Sequence, residues 1–123
     1  MARILIADDD ATLREALRNI LIEDGFDVIE ASDGAATLHT LRSQQADLVL
    51  CDMFMPDKDG VETIRELRRE FPTMKIIAMS GGGLSGMLDI LPIAQRLGAA
   101  EILQKPFTRT ALLAALSRVL ASG

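Results

Sequence analysis

The sequence contains neither tryptophan nor tyrosine, and it has only four phenylalanines among 123 residues. Its core must therefore be built from aliphatic side chains and methionine. The single cysteine excludes an internal disulfide, which is typical of a reducing cytosol, so we expect a cytoplasmic location. No apolar run approaches the roughly 18 residues of a membrane-spanning helix, and no signal peptide is recognisable, so we expect neither.

An excess of basic residues is also missing. The chain carries 13 lysines and arginines against 18 aspartates and glutamates, for a formal net charge of −5. Such a chain repels phosphate backbones and anionic lipid, which predicts no direct nucleic-acid partner and no membrane partner. The apolar fraction of 49% and the length indicate one globular domain over residues 1–123.

Short apolar runs alternate with longer amphipathic segments along the chain. The runs are β-rich, which favours strands, at residues 4–7, 28–29, 48–51, 76–79 and 102–103. The first, third and fourth runs are apolar on both faces, as central strands of a covered parallel sheet must be. Five β-α units predict an α/β fold, a three-layer sandwich with right-handed crossovers.

Polar residues and glycine mark the ends of the predicted helices. Gly25 can end the first helix in the left-handed conformation. The third helix should start near Asp59 and stop before Pro72, and the fourth should start late, near residues 89–91, or kink at Pro92. Side chains that can cap the first, second and last helices are Asp10, Asp33 and Thr108.

Chemically active side chains follow four of the five apolar runs. In an open α/β sheet, ligands bind beyond the carboxyl ends of the strands, so these side chains can converge. They are Asp8, Asp9 and Asp10 after the first run, Asp52 after the third, Ser80 after the fourth and Lys105 after the fifth.

The converging residue types suit phosphoryl transfer. Clustered carboxylates repel one another unless a cation compensates them, and oxygen-rich clusters suit Mg²⁺. A carboxylate can accept a phosphoryl group as a nucleophile, and the transfer then needs positive charge on the phosphoryl oxygens. Lys105 could supply that charge, and the Ser80 hydroxyl could hydrogen-bond the phosphoryl group.

The order and spacing of the motifs resemble a known family. Residues 52–60 match the pattern D-x-x-M-P-x-x-x-G, with the acidic pair upstream and a Gly98-Ala99 pair before Lys105-Pro106-Phe107. Together with Ser80, this arrangement resembles the receiver domain of two-component response regulators over nearly the whole chain.

The resemblance implies a doubly wound, flavodoxin-like, five-stranded parallel sheet of order 2-1-3-4-5. It implies that Asp52 accepts the phosphoryl group, and that Asp9, Asp52 and the backbone carbonyl of Phe54 hold Mg²⁺, with Asp8 acting largely through water. It further implies a cis Lys105–Pro106 peptide bond.

As partners, the resemblance implies a phosphoryl donor, which would be a sensor histidine kinase, a histidine phosphotransfer protein or acetyl phosphate, and a downstream protein target. The expected function is a signalling switch that catalyses its own phosphorylation and dephosphorylation and is otherwise no enzyme. The cognate kinase, the pathway and the presence of further domains stay open.

One position departs from the family pattern, which usually has tyrosine or phenylalanine three residues before the lysine. This chain has Ile102 there, so we expect weaker coupling between the site and the face formed by the fourth helix, the fifth strand and the fifth helix. Cys51 precedes Asp52 on a strand and should point to the opposite side, into the core. His39 should lie on an exposed helix face.

An alternative function uses the first motif differently. The segment from Asp8 to Thr12 fits the D-x-D-x-T pattern of haloacid-dehalogenase-like Mg²⁺ phosphatases, with Asp8 as nucleophile and Asp10 as general acid-base. That family needs a further acidic motif after its lysine, and no aspartate or glutamate follows Lys105. The length also leaves no room for a cap domain.

Overall fold

The computed structural model describes residues 2–53, 60–81 and 91–122. The strands are β1 (Arg3–Ala7), β2 (Asp27–Ala31), β3 (Leu48–Asp52), β4 (Lys75–Ser80) and β5 (Glu101–Gln104). The helices are α1 (Ala11–Glu23), α2 (Gly34–Ser43), α3 (Gly60–Glu70), α4 (residues 91–96) and α5 (Arg109–Ala121). Each predicted strand is present, most of them a residue or two longer than the apolar run that indicated it.

The five strands form one parallel sheet in the order β2-β1-β3-β4-β5. This is the predicted doubly wound order, and it places β1 and β3 side by side at the centre. β3 is buried along its whole length, as are all but the first residues of β1 and β4. Strands covered on both faces can be apolar throughout, which is how their sequences read.

Alternate strand residues pack against opposite helix layers. Ile4 and Ile6 of β1 belong to the core under α1 and α5. Leu5 and Ala7 of the same strand belong to the core under α2, α3 and α4. Successive side chains of a strand point to opposite faces, so this alternation produces the predicted three-layer sandwich.

The predicted helix boundaries are confirmed where the structure describes them. The side chain of Asp10 accepts hydrogen bonds from the first-turn amides of α1, and Asp33 and Thr108 cap α2 and α5 in the same way. Gly25 follows α1 with φ of 92°, the left-handed conformation that glycine adopts without strain. Among the described helices, none has the length and apolarity that crossing a bilayer requires.

Two predicted boundaries fall beside residues that the structure does not describe. The described part of α3 begins at Gly60 and ends at Glu70, before Pro72, while Asp59 lies outside the described residues. Pro92 is helical, but residues 82–90 lie outside as well. A late start or a kink of α4 therefore stays a prediction.

Candidate functional site

Three carboxylates meet at the carboxyl ends of the two central strands. Asp8 and Asp9 follow β1, and Asp52 is the last residue of the neighbouring β3. One carboxylate oxygen from each lies within 4.8 Å of the other two. Asp8 and Asp52 are buried, whereas Asp9 is exposed. The predicted convergence is thus present for the acidic pair and the predicted acceptor.

Lys105 reaches this cluster from the end of β5. Its ammonium lies 2.8 Å from Asp8 Oδ2 and 3.4 Å from Asp52 Oδ1. Partial burial opposes the charge on the amine, but the hydrogen bond to Asp8 and the charges of Asp52 and Asp8 outweigh it, so the pKa of Lys105 is raised. The lysine is therefore held as a cation between two carboxylates.

Every polar atom of Asp8 has a partner. Its amide donates to the Ala31 carbonyl at 3.2 Å, and its Oδ1 accepts from the Asp10 amide at 2.9 Å. Its Oδ2 accepts from Lys105, and its backbone carbonyl accepts from Arg14 Nη1 at 2.6 Å. Asp8 is therefore fixed as an anchor for Lys105 and for the turn that carries Asp9.

The contact from Arg14 is the element of the site that the sequence did not indicate. Arg14 lies in the first turn of α1, and its Nε also donates to Glu30 Oε1 on β2 at 3.2 Å. A signal existed, because an arginine shortly after an acidic pair and a helix cap can fold back over the strand end. That signal is common on helix surfaces and does not specify an acceptor.

Ser80 stands at the end of β4 and is completely buried. Its backbone carbonyl accepts from the Lys105 amide at 2.6 Å, which ties the strand end to the lysine. Its hydroxyl donates to the Gly81 carbonyl at 3.2 Å. The Lys105–Pro106 bond is cis, as the resemblance implied.

The loop after Asp52 is only partly described. The motif ends in a glycine, Gly60, and the structure gives a reason for it. A Cβ at this position would overlap the backbone of Asp52 and Met53. The Gly60 amide also donates to the Met53 carbonyl at 3.1 Å, so α3 begins in direct contact with the acceptor strand. Phe54, whose carbonyl the resemblance assigns to the metal, lies outside the described residues.

The remaining singled-out residues lie where the sequence placed them. Cys51 is fully buried in the core, and this burial, with the negative charges of Asp52 and Asp8, raises the pKa of its thiol. His39 is exposed on α2. Ile102 is half-buried and packs against the core that contains Ala94 of α4.

A groove runs beside the carboxylate cluster. It has a volume of about 490 Å³ and lies between α1 and the segment that joins β5 to α5. Leu13, Leu17 and Phe107 are among its apolar lining residues, and Asp10 and Lys105 are among its polar ones. Lys105 therefore contacts both the carboxylate cluster and the groove.

Comparisons with known proteins agree with this arrangement. The family model described as "Response regulator receiver domain" matches residues 4–117. The chemotaxis protein CheY of Bacillus subtilis is 33% identical over 120 residues, covering 96% of this chain and 97% of that protein. The transcriptional regulatory protein CpxR of Escherichia coli K12 is 36% identical over 121 residues, which is 98% of this chain and only 50% of CpxR.

Solved structures give the same picture. A response regulator receiver domain protein from Clostridium thermocellum superposes with a TM-score of 0.89 at 32% identity, over 98% of this chain and 94% of that one. The chemotaxis protein CheY4 of Vibrio cholerae superposes with a TM-score of 0.89 at 27% identity, over 97% and 98%. These matches cover the whole sheet and all elements that carry the site.

Proposed function

The chain belongs to the response regulator receiver domain family of two-component signalling, and we propose that it works as a Mg²⁺-dependent switch phosphorylated on Asp52. One observation carries the proposal. Asp52 is a buried carboxylate at a strand end, with a lysine ammonium 3.4 Å from its Oδ1 and the carboxylates of Asp8 and Asp9 within 4.8 Å. Receiver domains are signalling switches rather than classical enzymes, so the catalysis we propose is confined to the chain's own phosphorylation and dephosphorylation.

The donor set of the cluster fits Mg²⁺. It consists of hard carboxylate oxygens, close enough together for one cation to bind several of them directly or through its waters. We propose that Asp9, Asp52 and the carbonyl of Phe54 hold the ion, and that Asp8, whose carboxylate is already engaged, contributes through water. When bound, Mg²⁺ would neutralise charge on the transferred phosphoryl group.

The proposed step forms one bond and breaks one. A carboxylate oxygen of Asp52 attacks the phosphorus of phosphohistidine or acetyl phosphate, and the imidazole or acetate leaves with the bonding electrons. Lys105 is placed to move its contact from the Asp52 carboxylate to a phosphoryl oxygen, because it already spans Asp8 and Asp52. The Ser80 hydroxyl would exchange its weak bond to Gly81 for one to the phosphoryl group.

The proposed partners follow from the family. Response regulator receivers interact with histidine kinases and downstream effectors, and we propose a kinase or a phosphotransfer protein as donor in a cytoplasmic setting. The groove beside Lys105 is the surface from which a donor's histidine would approach. The absence of nucleic-acid contact stays a prediction, since the chain spans about half the length of CpxR and its other relatives named as transcriptional regulators.

The phosphatase alternative would use Asp8 as nucleophile. In the structure, Asp8 is completely buried, and both of its carboxylate oxygens accept hydrogen bonds, from Asp10 and Lys105. An attacking oxygen needs an accessible lone pair facing the phosphorus. Asp52 is buried as well, at 4% exposure, so family membership is what favours it as the acceptor.

The test is to locate the phosphoryl group. The protein is incubated with acetyl phosphate and Mg²⁺, the acyl phosphate is reduced with borohydride, and the modified residue is identified by peptide mass spectrometry. We expect modification at Asp52, loss of labelling in Asp52→Asn, and loss of labelling when Mg²⁺ is chelated.

Asp10→Asn is the matched control, because it removes an adjacent carboxylate that only caps α1. Under the proposed function it should be labelled on Asp52 and lose the label at the wild-type rate, whereas under the phosphatase mechanism the label would stand on Asp8 and its hydrolysis would be slowed. Modification at Asp8 would refute the switch and favour the phosphatase. Full labelling in excess chelator would refute the role of the metal.

A further inference from the structure

The carboxylate of Asp9 has no fixed support of its own. Among the described residues, its side chain makes no hydrogen bond or ion pair, and the residue is exposed. Its neighbour Asp8 has a partner on each polar atom. The position of the Asp9 carboxylate is therefore set by the backbone that Asp8 anchors.

Arg14 holds this backbone at the peptide that joins the two aspartates. Its Nη1 donates to the Asp8 carbonyl at 2.6 Å, and its Nε pairs with Glu30 at 3.2 Å. The side chain is only 18% exposed, so the charged hydrogen bond is partly shielded from water. Charge-assisted hydrogen bonds of this kind are shorter and stronger than neutral ones.

We propose that Arg14 is a positioning residue for the metal-binding pair. By fixing the Asp8 carbonyl against α1 and the end of β2, it keeps the Asp9 carboxylate close to those of Asp8 and Asp52. This inference rests on the proposed function, because it concerns Mg²⁺ at that site. It assigns Arg14 no contact with metal or substrate.

The direction of the effect separates positioning from simple electrostatics. Arg14 is a cation near a site for a divalent cation, so charge alone predicts that its removal tightens Mg²⁺ binding. Loss of positioning predicts the opposite, since outer-shell partners of metal ligands typically contribute 10–100-fold to affinity. We expect Arg14→Gln to weaken Mg²⁺ binding about 10-fold, near the lower end, because the contact acts through the backbone.

Arg18 supplies the matched control. It lies one turn further along α1, also pairs with Glu30, at 3.7 Å, and makes no hydrogen bond to Asp8 among the described residues. Arg18→Gln thus makes the same change of charge and weakens the same ion-pair network. We expect its Mg²⁺ affinity to equal or slightly exceed that of the wild type.

The measurement is a Mg²⁺ titration of the ¹⁵N-labelled protein, followed by amide chemical shifts. Without metal, the ¹⁵N shift of Asp9 reports the hydrogen bond on the preceding carbonyl, so it should move in Arg14→Gln and stay in Arg18→Gln. Arg14→Lys keeps the charge but has one compact ammonium for two acceptors, and it should bind Mg²⁺ with intermediate affinity. If Arg14→Gln does not fold, Arg14→Lys carries the comparison.

Unchanged or tighter Mg²⁺ binding in Arg14→Gln would overturn the proposal, as would equal weakening in Arg18→Gln or an unmoved Asp9 amide. These outcomes leave the proposed function intact, because the wild type still binds Mg²⁺ and is labelled on Asp52. A wild type that binds no Mg²⁺ would instead refute the metal-dependent switch, and the role of Arg14 with it.

Discussion

Replacing Asp52 with asparagine should make the metal-free protein more stable. The substitution removes one of three carboxylates whose oxygens lie within 4.8 Å of one another, and it preserves the shape of the side chain. Asparagine keeps one acceptor oxygen, so hydrogen bonds to that atom survive. The outcome depends on whether the Asp52 carboxylate gains more from its partners, Lys105 among them, than it loses by repulsion and burial.

The Coulomb terms nearly cancel. With an effective dielectric constant of about 20, Lys105 at 3.4 Å attracts Asp52 by about 5 kcal/mol. Asp8, at no more than 4.8 Å, repels it by at least roughly 3.5 kcal/mol, and the exposed Asp9 contributes about half as much because solvent screens it. The cost of burying a carboxylate that is only 4% exposed then decides the sign.

We expect Asp52→Asn to raise the free energy of unfolding by about 1–2 kcal/mol in excess chelator. Mg²⁺ at about 100 times its dissociation constant should stabilise the wild type by about 2.7 kcal/mol and the variant by less, which reverses the order.

The free energies of unfolding can be measured by urea titrations followed by far-ultraviolet circular dichroism, since the chain has no tryptophan or tyrosine to report by fluorescence. Glu15→Gln is the control, because it also removes one negative charge, but at an exposed position of α1. It should alter the free energy of unfolding by less than about 0.5 kcal/mol. A metal-free Asp52→Asn variant less stable than the wild type would refute the reasoning, because the attractions of the Asp52 carboxylate, that of Lys105 among them, would then outweigh repulsion and burial together.

Further predictions concern the close packing of Gly60, the ion pair between Glu101 of β5 and Arg118 of α5, and the lifetime of the phosphoryl group. Gly60→Ala should lower the unfolding free energy by more than about 2 kcal/mol in the same urea assay, because its Cβ would overlap the backbone of Met53, and unchanged stability would contradict that close approach. The hydrogen bond from Arg118 lowers the pKa of Glu101 below its ordinary 4.5, so the stability this pair contributes is present above pH 4.5 and lost as the pH falls through the lowered value. Glu101→Gln should therefore cost at most about 1 kcal/mol at pH 7 and less at pH 3, since Arg118 is exposed and Glu101 partly so, and a cost that grows at low pH would refute this. Phe54→Asn should speed decay of the aspartyl phosphate, because an amide can orient a hydrolytic water and a phenyl ring cannot, and equal decay of wild type and variant would exclude Phe54 from the water path.

The features that sequence reasoning predicted depend on local position in the chain, on the order of the strands or on the family pattern. Asp10 and Thr108 cap helices whose first turns they immediately precede. Asp52 ends one strand and Lys105 follows another, and strand ends of a parallel sheet share one edge, so their convergence needed no knowledge of packing. The cis bond before Pro106 came from the family pattern rather than from any physical signal.

What the sequence could not specify depends on distances between elements. The hydrogen bond of Arg14 to the Asp8 carbonyl requires the first turn of α1 to lie over the end of β1, which packing of the whole layer decides. The close approach of Gly60 to Asp52 is a property of the folded loop, and the motif alone marks the glycine without the reason for it. The packing of Ile102 against the core on one face of the sheet likewise needs the sheet and its helices together.

The two adjacent aspartates illustrate why this distinction matters for function. In the sequence, Asp8 and Asp9 are equivalent carboxylates after a strand, and charge alone would assign both of them as metal ligands. In the fold, Asp8 is enclosed and occupied by Lys105 and Asp10, so its charge holds the lysine in place. Asp9 is exposed and has no competing donor among the described residues, so its oxygens are open to a cation. Two carboxylates that are adjacent in the sequence therefore differ in the fold, because Asp8 is committed to Lys105 and to the Asp10 amide, whereas the Asp9 carboxylate has no such bonds among the described residues.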